Sequence, residues 1–245
     1  MKRFIKYFLS NSKYFFQLLH MYMFEKKYDK EKTIFAFGIS EWKKKYIKAF
    51  LKENRIIFLP QSNFLFLLKG VLRRKENYCF LVWGYSENKS LAKFIEVNNI
   101  SLLRIEDGFI RSKELGAMHS PPYSLCIDKK GMYFDSTKPS DLEDMLNNYN
   151  FSENPILIER AKACIEMLKE LGISKYNHLE QKNIKKIYGV KEKKRILVIG
   201  QVEDDASIKK GCNYHITNND LVRLAKKENP DAELIYKPHP DVLEG

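Results

Sequence analysis

The sequence predicts an α/β protein built on parallel β-sheets. Short apolar runs typical of strands recur at near-constant spacing, and segments typical of helices separate them. Strands that alternate with helices in this way are joined by crossovers into a parallel sheet. The chain has 245 residues, of which 44% are hydrophobic and 30% are charged. This composition is typical of a globular protein. The length suits one large domain or two small ones.

A first Rossmann-like domain is expected over residues 31–173. Its predicted strands are Thr33–Phe37, Arg55–Leu59, Tyr78–Val82 and Ser101–Ile105, and its first predicted helices are Glu41–Leu51, Phe64–Val71 and Lys89–Asn98. A β-hairpin is then expected, with strands at 125–127 and 132–134. Two further helices follow at 141–149 and 155–171. Ser140 and Glu143 have the spacing of a capping box at the start of the first helix, and Gly172 ends the second.

The remaining segments are a basic, aromatic N-terminal helix region (1–30), a polar connection (174–194) and a second Rossmann-like domain (195–245). The second domain starts with strand Arg195–Ile199, a helix near 218–228 and strand Glu233–Tyr236. One parallel pair does not form a sheet with buried faces, so this domain is expected to be incomplete in this chain. The N-terminal helix either lies on anionic lipid or packs on the core, and the pattern leaves both alternatives open.

The net charge of +12 favours an anionic partner, although scattered lysines alone also produce such a charge. A nucleic-acid binder is disfavoured, because the chain has no arginine-rich stripe and no aromatic RNA-binding signature. No run approaches the roughly 20 apolar residues of a membrane-spanning helix. The four widely separated cysteines indicate neither a zinc site nor a disulfide framework, which fits a reducing, cytoplasmic setting.

Polar clusters directly follow three of the predicted strands. The clusters are Glu106–Phe109, Gln201–Ser207 and Lys237–Asp241. The loops that leave the carboxyl ends of parallel strands meet at the ligand crevice of an α/β fold. These clusters combine carboxylates, an amide, a hydroxyl, an imidazole and an ammonium group. The combination predicts a site for chemistry on a phosphorylated substrate.

Each cluster also has a simpler interpretation. Glu106 and Asp107 suit acid/base catalysis, or they form an exposed acidic turn or a helix cap. Arg111 suits a carboxylate or phosphate, or it is a solvated surface residue. The acidic loop 201–207 is part of the site, or it is an ordinary solvated loop. Metal binding is a further alternative, although the loop lacks the ligand spacing of a calcium loop. His239 lies between two prolines that restrict its backbone, which suits a phosphate contact, or it is an ordinary loop histidine.

Together these motifs resemble the capsular polysaccharide biosynthesis family of KpsC/LipB type. The segments that carry the resemblance are Trp83-Gly84, Glu106–Ser112, Pro121–Leu125, Tyr133–Asp135, Ser174–Asn177, Gln201–Ser207 and Lys237–Asp241. The resemblance covers part of one module and implies a GT-B-like fold of two Rossmann-type domains. It also implies a retaining β-Kdo transferase that uses CMP-β-Kdo to build an oligo-Kdo linker on lyso-phosphatidylglycerol.

The resemblance implies a role for each candidate residue. Retaining transfer by two displacements uses one carboxylate as nucleophile and another as acid/base. Asp205 matches the nucleophile, Glu106 is the expected acid/base and Asp107 is the second choice. The residues expected to bind substrate are Gln201, Ser207, Arg111, Lys237 and His239. Gln201 and Ser207 would orient the donor or Asp205, and Arg111 would hold the Kdo carboxylate. Lys237 and His239 would stabilise the CMP phosphate, and neither a metal nor another cofactor is implied.

The implied partners are a sugar nucleotide, a lipid-linked glycan, the anionic membrane surface and other capsule assembly proteins. The implied location is cytoplasmic, peripheral to the inner membrane. A second hypothesis is a catalytically inactive, truncated module that docks to the membrane or to the assembly complex. A third is transfer of another CMP- or CDP-linked group, such as glycerol phosphate, against which the motifs at 106–112 and 201–207 argue.

Overall fold

A computed structural model gives the fold of the chain. It describes residues 2–24, 32–61, 65–73, 77–114, 118–175, 177 and 182–243, with side chains from Ser12 onward. The chain divides into two compact units. Unit 1 comprises residues 1–109 and 121–130, and unit 2 comprises residues 110–120 and 131–245. Within the described residues, no helix is both long enough and apolar enough to cross a bilayer.

Unit 1 contains a five-stranded sheet with helices between its parallel strands. In chain order its elements are α1 (Lys2–Phe24), β1 (Thr33–Phe37), α2 (Glu41–Phe50), β2 (Arg55–Leu59), α3 (Leu65–Leu72), β3 (Tyr78–Trp83), α4 (Lys89–Val97), β4 (Leu102–Asp107) and β5 (Leu125–Asp128). The strand order is β2-β1-β3-β4-β5, with β5 antiparallel to β4 and the other neighbours parallel. The expected parallel sheet joined by crossovers is therefore present, with one antiparallel strand at its edge.

Both faces of the interior strand β1 are buried, which explains its uninterrupted apolar sequence. Phe35 and Phe37 join the core on one face, and Ile34 and Ala36 join the core on the other. Helix α1 packs on the first of these cores through Leu18, which is fully buried. Core packing by the N-terminal helix is therefore observed for its described side chains, and contact of its outer side with lipid stays a prediction.

The predicted β-hairpin is wrong. Strand β5 forms close to its predicted place, but it pairs with β4 rather than with residues 132–134. Residues 132–134 form no strand, and a turn closed by a hydrogen bond from the Asp135 N–H to the Met132 carbonyl replaces it. Pairing with β4 satisfies the backbone groups along an otherwise open edge of the sheet. A local hairpin would leave that edge unpaired.

Unit 2 consists of helices and a two-stranded parallel sheet. Its elements are α5 (Asp141–Asn148), α6 (Pro155–Leu171), α7 (Ile184–Tyr188), β6 (Arg195–Ile199), α8 (Ala206–Gly211), α9 (Asn218–Glu228), β7 (Glu233–Lys237) and α10 (Pro240–Leu243). The Ser140 hydroxyl accepts from the Glu143 N–H at the start of α5, and Gly172 adopts the left-handed conformation after α6, as expected. Helix α8 lies where the sequence indicates a loop, and α7 lies within the predicted connection.

Candidate active site

The carboxyl end of β4 carries Glu106 and Asp107 in unit 1. The Glu106 Oε1 atom accepts the backbone N–H of Asp107 at 3.1 Å, and the Trp83 side chain also hydrogen-bonds to Glu106. Gly84 follows β3 beside them with a φ of +48°, and a Cβ atom there would lie 2.9 Å from Glu106 Oε2. A glycine at position 84 therefore leaves room for the carboxyl group.

Burial raises the pKa of the Glu106 carboxyl above its ordinary value. The hydrogen bond from Asp107 lowers it by less, and the nearby negative charge of Asp107 adds to the increase. The Lys43 ammonium group, 3.2 Å from the centre of the Trp83 ring, acts in the opposite direction. A carboxyl group with a raised pKa accepts a proton more readily than an ordinary one, which suits acid/base catalysis.

Arg104 holds the loop after β3 against β4, and sequence reasoning missed it. Its guanidinium group binds both carboxylate oxygens of Glu87, at 2.6 and 2.9 Å, and donates to the Gly84 carbonyl at 2.7 Å. It also lies 4.0 Å from the centre of the Tyr85 ring. The sequence did contain a signal for this contact, namely an arginine between apolar residues of a buried strand. Such an arginine is rarely buried without a partner.

Unit 2 brings a second set of predicted residues to the carboxyl ends of β6 and β7. Ile199 and Lys237 are partners in the parallel register, and the Gly200 N–H donates to the Lys237 carbonyl at 2.9 Å. Gln201 and His239 follow these two strand ends. The His239 Nδ1 atom accepts from the Asp241 N–H at 3.2 Å. In the neutral ring this contact places the proton on Nε2, which is then a donor.

Asn218, the first residue of α9, fixes the start of the acidic loop. Its side chain accepts from the Gln201 N–H at 3.0 Å and donates to the Gln201 carbonyl at 2.8 Å. Its own N–H donates to the Glu203 carboxylate at 3.0 Å. The Gln201 side-chain oxygen accepts from the Val202 N–H. Asn218 was not predicted, because only the folded chain brings it to residues 17 positions earlier.

Asp205 is the N-cap of α8 and is exposed. Its Oδ1 atom accepts from the Ser207 N–H at 2.7 Å and from the Ser207 hydroxyl at 2.5 Å. The structure thus brings together Asp205 and Ser207 of the predicted set. These hydrogen bonds orient the Asp205 carboxylate and provide an acceptor for the Ser207 N–H in the first turn of the helix, as an N-cap residue usually does.

The loop at 134–136 contacts the other end of α8. The Ser136 N–H and hydroxyl donate to the Lys210 carbonyl at 3.0 and 2.9 Å. The Lys210 ammonium group lies 3.7 Å from the fully buried Asp135 carboxylate. The Tyr133–Asp135 motif, which carried part of the resemblance, therefore helps to position the helix that Asp205 begins.

Arg111 is fully buried in unit 2. Its guanidinium group donates to the Ser112 hydroxyl at 2.6 Å and to the Ser120 carbonyl at 3.2 Å. It is therefore not the solvated surface arginine of the simpler interpretation. Its expected contact with a substrate carboxylate stays a prediction, as do the roles of the other candidate residues.

Residues 78–245 match the family model described as "Capsule polysaccharide biosynthesis protein". The chain belongs to this family. The matched range includes every candidate site residue and all the motifs that carried the resemblance. Membership of the family that sequence reasoning named is thereby confirmed, and capsule polysaccharide biosynthesis is the general process in which the family's proteins take part.

Two curated relatives illustrate the extent of the match. The chain is 39% identical over 217 residues to the lipopolysaccharide-processing protein LpsZ of Rhizobium meliloti, covering 89% of this chain and 49% of LpsZ. It is 38% identical over 214 residues to the capsule polysaccharide modification protein LipA of Neisseria meningitidis, covering 86% of this chain and 29% of LipA. The chain thus spans about half the length of one relative and less than a third of the other.

Two solved structures of Thermosulfurimonas dismutans KpsC share the fold of this family member. The β-Kdo 2,4 transferase superposes with a TM-score of 0.72 at 29% identity, covering 89% of this chain and 63% of that chain. The β-Kdo 2,7 transferase superposes with a TM-score of 0.62 at 32% identity, and the match covers 86% of this chain and 62% of that chain. The similarity confirms the predicted α/β fold of GT-B-like class.

Proposed function

We propose that the chain is a module of a retaining β-Kdo transferase of capsule polysaccharide biosynthesis. Its donor is CMP-β-Kdo, and it builds the oligo-Kdo linker on lyso-phosphatidylglycerol. The similarity to two β-Kdo transferases supports the reaction class. The observation that carries the proposal is the partly buried Glu106 at the carboxyl end of β4, because burial raises its pKa as an acid/base group requires.

The transfer proceeds by two displacements at the anomeric carbon of Kdo. An Asp205 carboxylate oxygen attacks this carbon, the bond from the carbon to the phosphate oxygen breaks, and CMP leaves with the electron pair. An acceptor hydroxyl then attacks the same carbon and the bond to Asp205 breaks. The hydroxyl proton passes to the Glu106 carboxylate, and two inversions give net retention.

Lys237 and His239 bind the phosphate of the donor. The positive charge of Lys237 and the Nε2 hydrogen-bond donor of His239 stabilise the negative charge that develops on CMP as it leaves. The His239 Nε2 proton, fixed by the Asp241 contact at Nδ1, is available for a phosphate oxygen. CMP carries a single phosphate, so these two residues take the place of a metal ion.

Gln201 and Ser207 orient the reacting groups. The Ser207 hydroxyl donates to the Asp205 carboxylate and so restricts its rotation. Asn218 fixes the Gln201 backbone, which sets the path of the loop that leads to Asp205. Arg111 holds the Kdo carboxylate through a charge-assisted contact. Because its side chain is fully buried in unit 2, the donor must displace the residues that cover it. Asp107 assists Glu106 as the second carboxylate of the strand end.

The proposal is tested by Kdo transfer from CMP-β-Kdo, generated in situ, to a fluorescent Kdo-terminated lipid. We expect Asp205→Asn to abolish transfer, because the amide is a poor nucleophile. Asp204→Asn, which changes the neighbouring carboxylate, is the matched control and should retain activity. Glu106→Gln should slow transfer roughly 100-fold or more, since removal of an acid/base group costs about that much.

Intact-protein mass spectrometry separates the two steps. In Glu106→Gln the second displacement is slowed more than the first, so a covalent Kdo adduct on Asp205 should accumulate. Undiminished transfer by Asp205→Asn would remove the nucleophile assignment. Absence of transfer from the unaltered, folded chain would contradict the enzyme proposal and favour the docking role as the alternative.

A further inference from the structure

We propose that one helical face of unit 1 docks on the surface of an anionic lipid bilayer. This helical face is formed by α1, α3 and α4, and its exposed apolar side chains are Phe16, Phe24, Phe66 and Val97. The inference extends the proposed function by naming a membrane-contacting surface, but the contacts and charges that support it are independent of any catalytic residue.

The three helices cover the same side of the sheet. Leu18 of α1, Leu68 of α3 and Leu91 of α4 all join one core cluster with Phe35 and Phe80 of the strands. Their buried residues point to that cluster, so the opposite sides of the helices form one outer layer. The apolar residues of this outer layer are not needed to fill the core.

Most of the surface of each of these apolar side chains is exposed. Phe66 is 89% exposed, Val97 and Phe24 are each 70% exposed, and Phe16 is 62% exposed. A groove of about 440 Å³ runs between α3 and α4, and the side chains that line it include Leu65, Phe66, Phe94 and Val97. An exposed apolar patch of this kind marks a surface that contacts a membrane or another molecule.

Lysines border the apolar residues. Lys69 and Lys93 line the groove itself. Over the described side chains of α1, α3 and α4 there are four lysines, Lys13, Lys69, Lys89 and Lys93, and one acidic residue, Glu96. Lysine side chains extend their charged ends into the headgroup layer while their stems cover apolar surface. The face therefore combines the two components of interfacial binding.

The charge of the whole chain is located in the same unit. Unit 1 contains 23 lysine and arginine residues and 11 aspartate and glutamate residues, whereas unit 2 contains 20 of each. The net charge of +12 therefore belongs entirely to unit 1. A negatively charged bilayer attracts such a surface within about one Debye length and so orients unit 1 toward the lipid.

A bilayer satisfies both parts of this surface better than a polyanion does. Duplex nucleic acid or an anionic glycan would pair with the lysines but would leave the Phe66 ring against polar groups. An anionic bilayer offers phosphate groups at the depth of Lys69 and Lys93 and apolar chains beneath them, where aromatic side chains insert.

The test is co-sedimentation of the chain with vesicles of phosphatidylcholine and phosphatidylglycerol, compared with vesicles of phosphatidylcholine alone. We expect binding to the mixed vesicles that weakens with salt. Phe66→Ser should lower the partition coefficient roughly tenfold or more, because one aromatic side chain no longer inserts. The double variant Lys69→Gln with Lys93→Gln should lower the partition coefficient roughly 30-fold, because each lysine near an anionic surface strengthens binding about fivefold.

Matched substitutions in unit 2 provide the controls. Ile156→Ser removes an apolar side chain that is 83% exposed, and Lys185→Gln with Lys227→Gln removes two positive charges. These controls should bind as the unaltered chain does. Equal losses from controls and test variants would overturn the proposal in favour of diffuse charge attraction.

Two other outcomes would also overturn the proposal. The first is no binding to the mixed vesicles by the unaltered chain. The second is a concentration-dependent dimer in light scattering that Phe66→Ser abolishes, which would assign the face to a second copy of the chain. Thermal unfolding should not change in Phe66→Ser, because the side chain is exposed. Vesicle binding involves no sugar nucleotide, so its outcome is distinct from the outcome of the transfer assay.

Discussion

Replacement of Arg104 by methionine should cost unit 1 about 3–5 kcal/mol of stability, the range measured when one partner of a buried ion pair is removed. Only 11% of the Arg104 side chain and 13% of the Glu87 side chain are exposed, so the pair belongs to the buried class. Methionine keeps part of the aliphatic stem but leaves the Glu87 carboxylate and the Gly84 carbonyl without their guanidinium donors. The stacking on Tyr85 is lost as well.

The assay is urea unfolding followed by tryptophan fluorescence. The chain has two tryptophans, Trp42 and Trp83, and both lie in unit 1, so the signal reports this unit. Lys44→Met is the control, because the Lys44–Glu41 ion pair lies in the same unit and Glu41 is 85% exposed. Removal of the Lys44 ammonium group leaves the Glu41 carboxylate in water, so loss of this ion pair should cost little. Exposed ion pairs in general contribute at most about 1 kcal/mol.

A double-mutant cycle isolates the interaction of Arg104 with Glu87. The double variant Arg104→Met with Glu87→Met removes both charges, so it should be more stable than Arg104→Met alone. A cost below about 1 kcal/mol for Arg104→Met would refute the reasoning, because it would mean that solvent already satisfies Glu87. Strict additivity of the two single changes would refute it as well.

Three further predictions follow from the same contacts. Burial raises the pKa of Glu106 in the folded chain, so its stabilising contribution is complete below the unfolded value near 4.5 and is lost as the pH rises through the folded pKa. Urea unfolding from pH 4.5 to neutral should therefore show Glu106→Gln gaining stability relative to the unaltered chain. Asp205→Ala should cost unit 2 about 1 kcal/mol in circular-dichroism melts, whereas Asp205→Asn, a good N-cap, should cost far less. Asn218→Ala should cost about 1–3 kcal/mol and increase amide exchange at Gln201, because the alanine cannot pair with the Gln201 backbone.

The regular elements could be predicted from the sequence because they depend on local patterns. Strands Thr33–Phe37, Arg55–Leu59 and Arg195–Ile199 form with the predicted bounds. Each is a short apolar run with polar residues or breakers beside it, and a buried parallel strand requires such a run. The end of α6 at Gly172 was likewise predictable, since glycine readily adopts the left-handed conformation that closes a helix.

The sequence supplied candidate site residues but not the contacts that support them. Family resemblance and strand ends nominated Glu106, Asp205 and His239, and their catalytic and binding roles stay predictions. Pairing of Arg104 with Glu87, and of Asn218 with Gln201, joins positions 17 residues apart in each case. No local pattern encodes these pairs, because each depends on how two loops meet after the strands have aligned.

The sequence by itself determined the α/β class and most strand positions, because burial on both faces of a sheet requires short, uninterrupted apolar runs. Its motifs determined the family. Only the tertiary structure decided the partner of β5, the helix that begins at Asp205 and the burial of Arg111. These features follow from backbone groups and charges that must find partners once water is excluded. The available partners are set by the assembled fold rather than by neighbours in the chain.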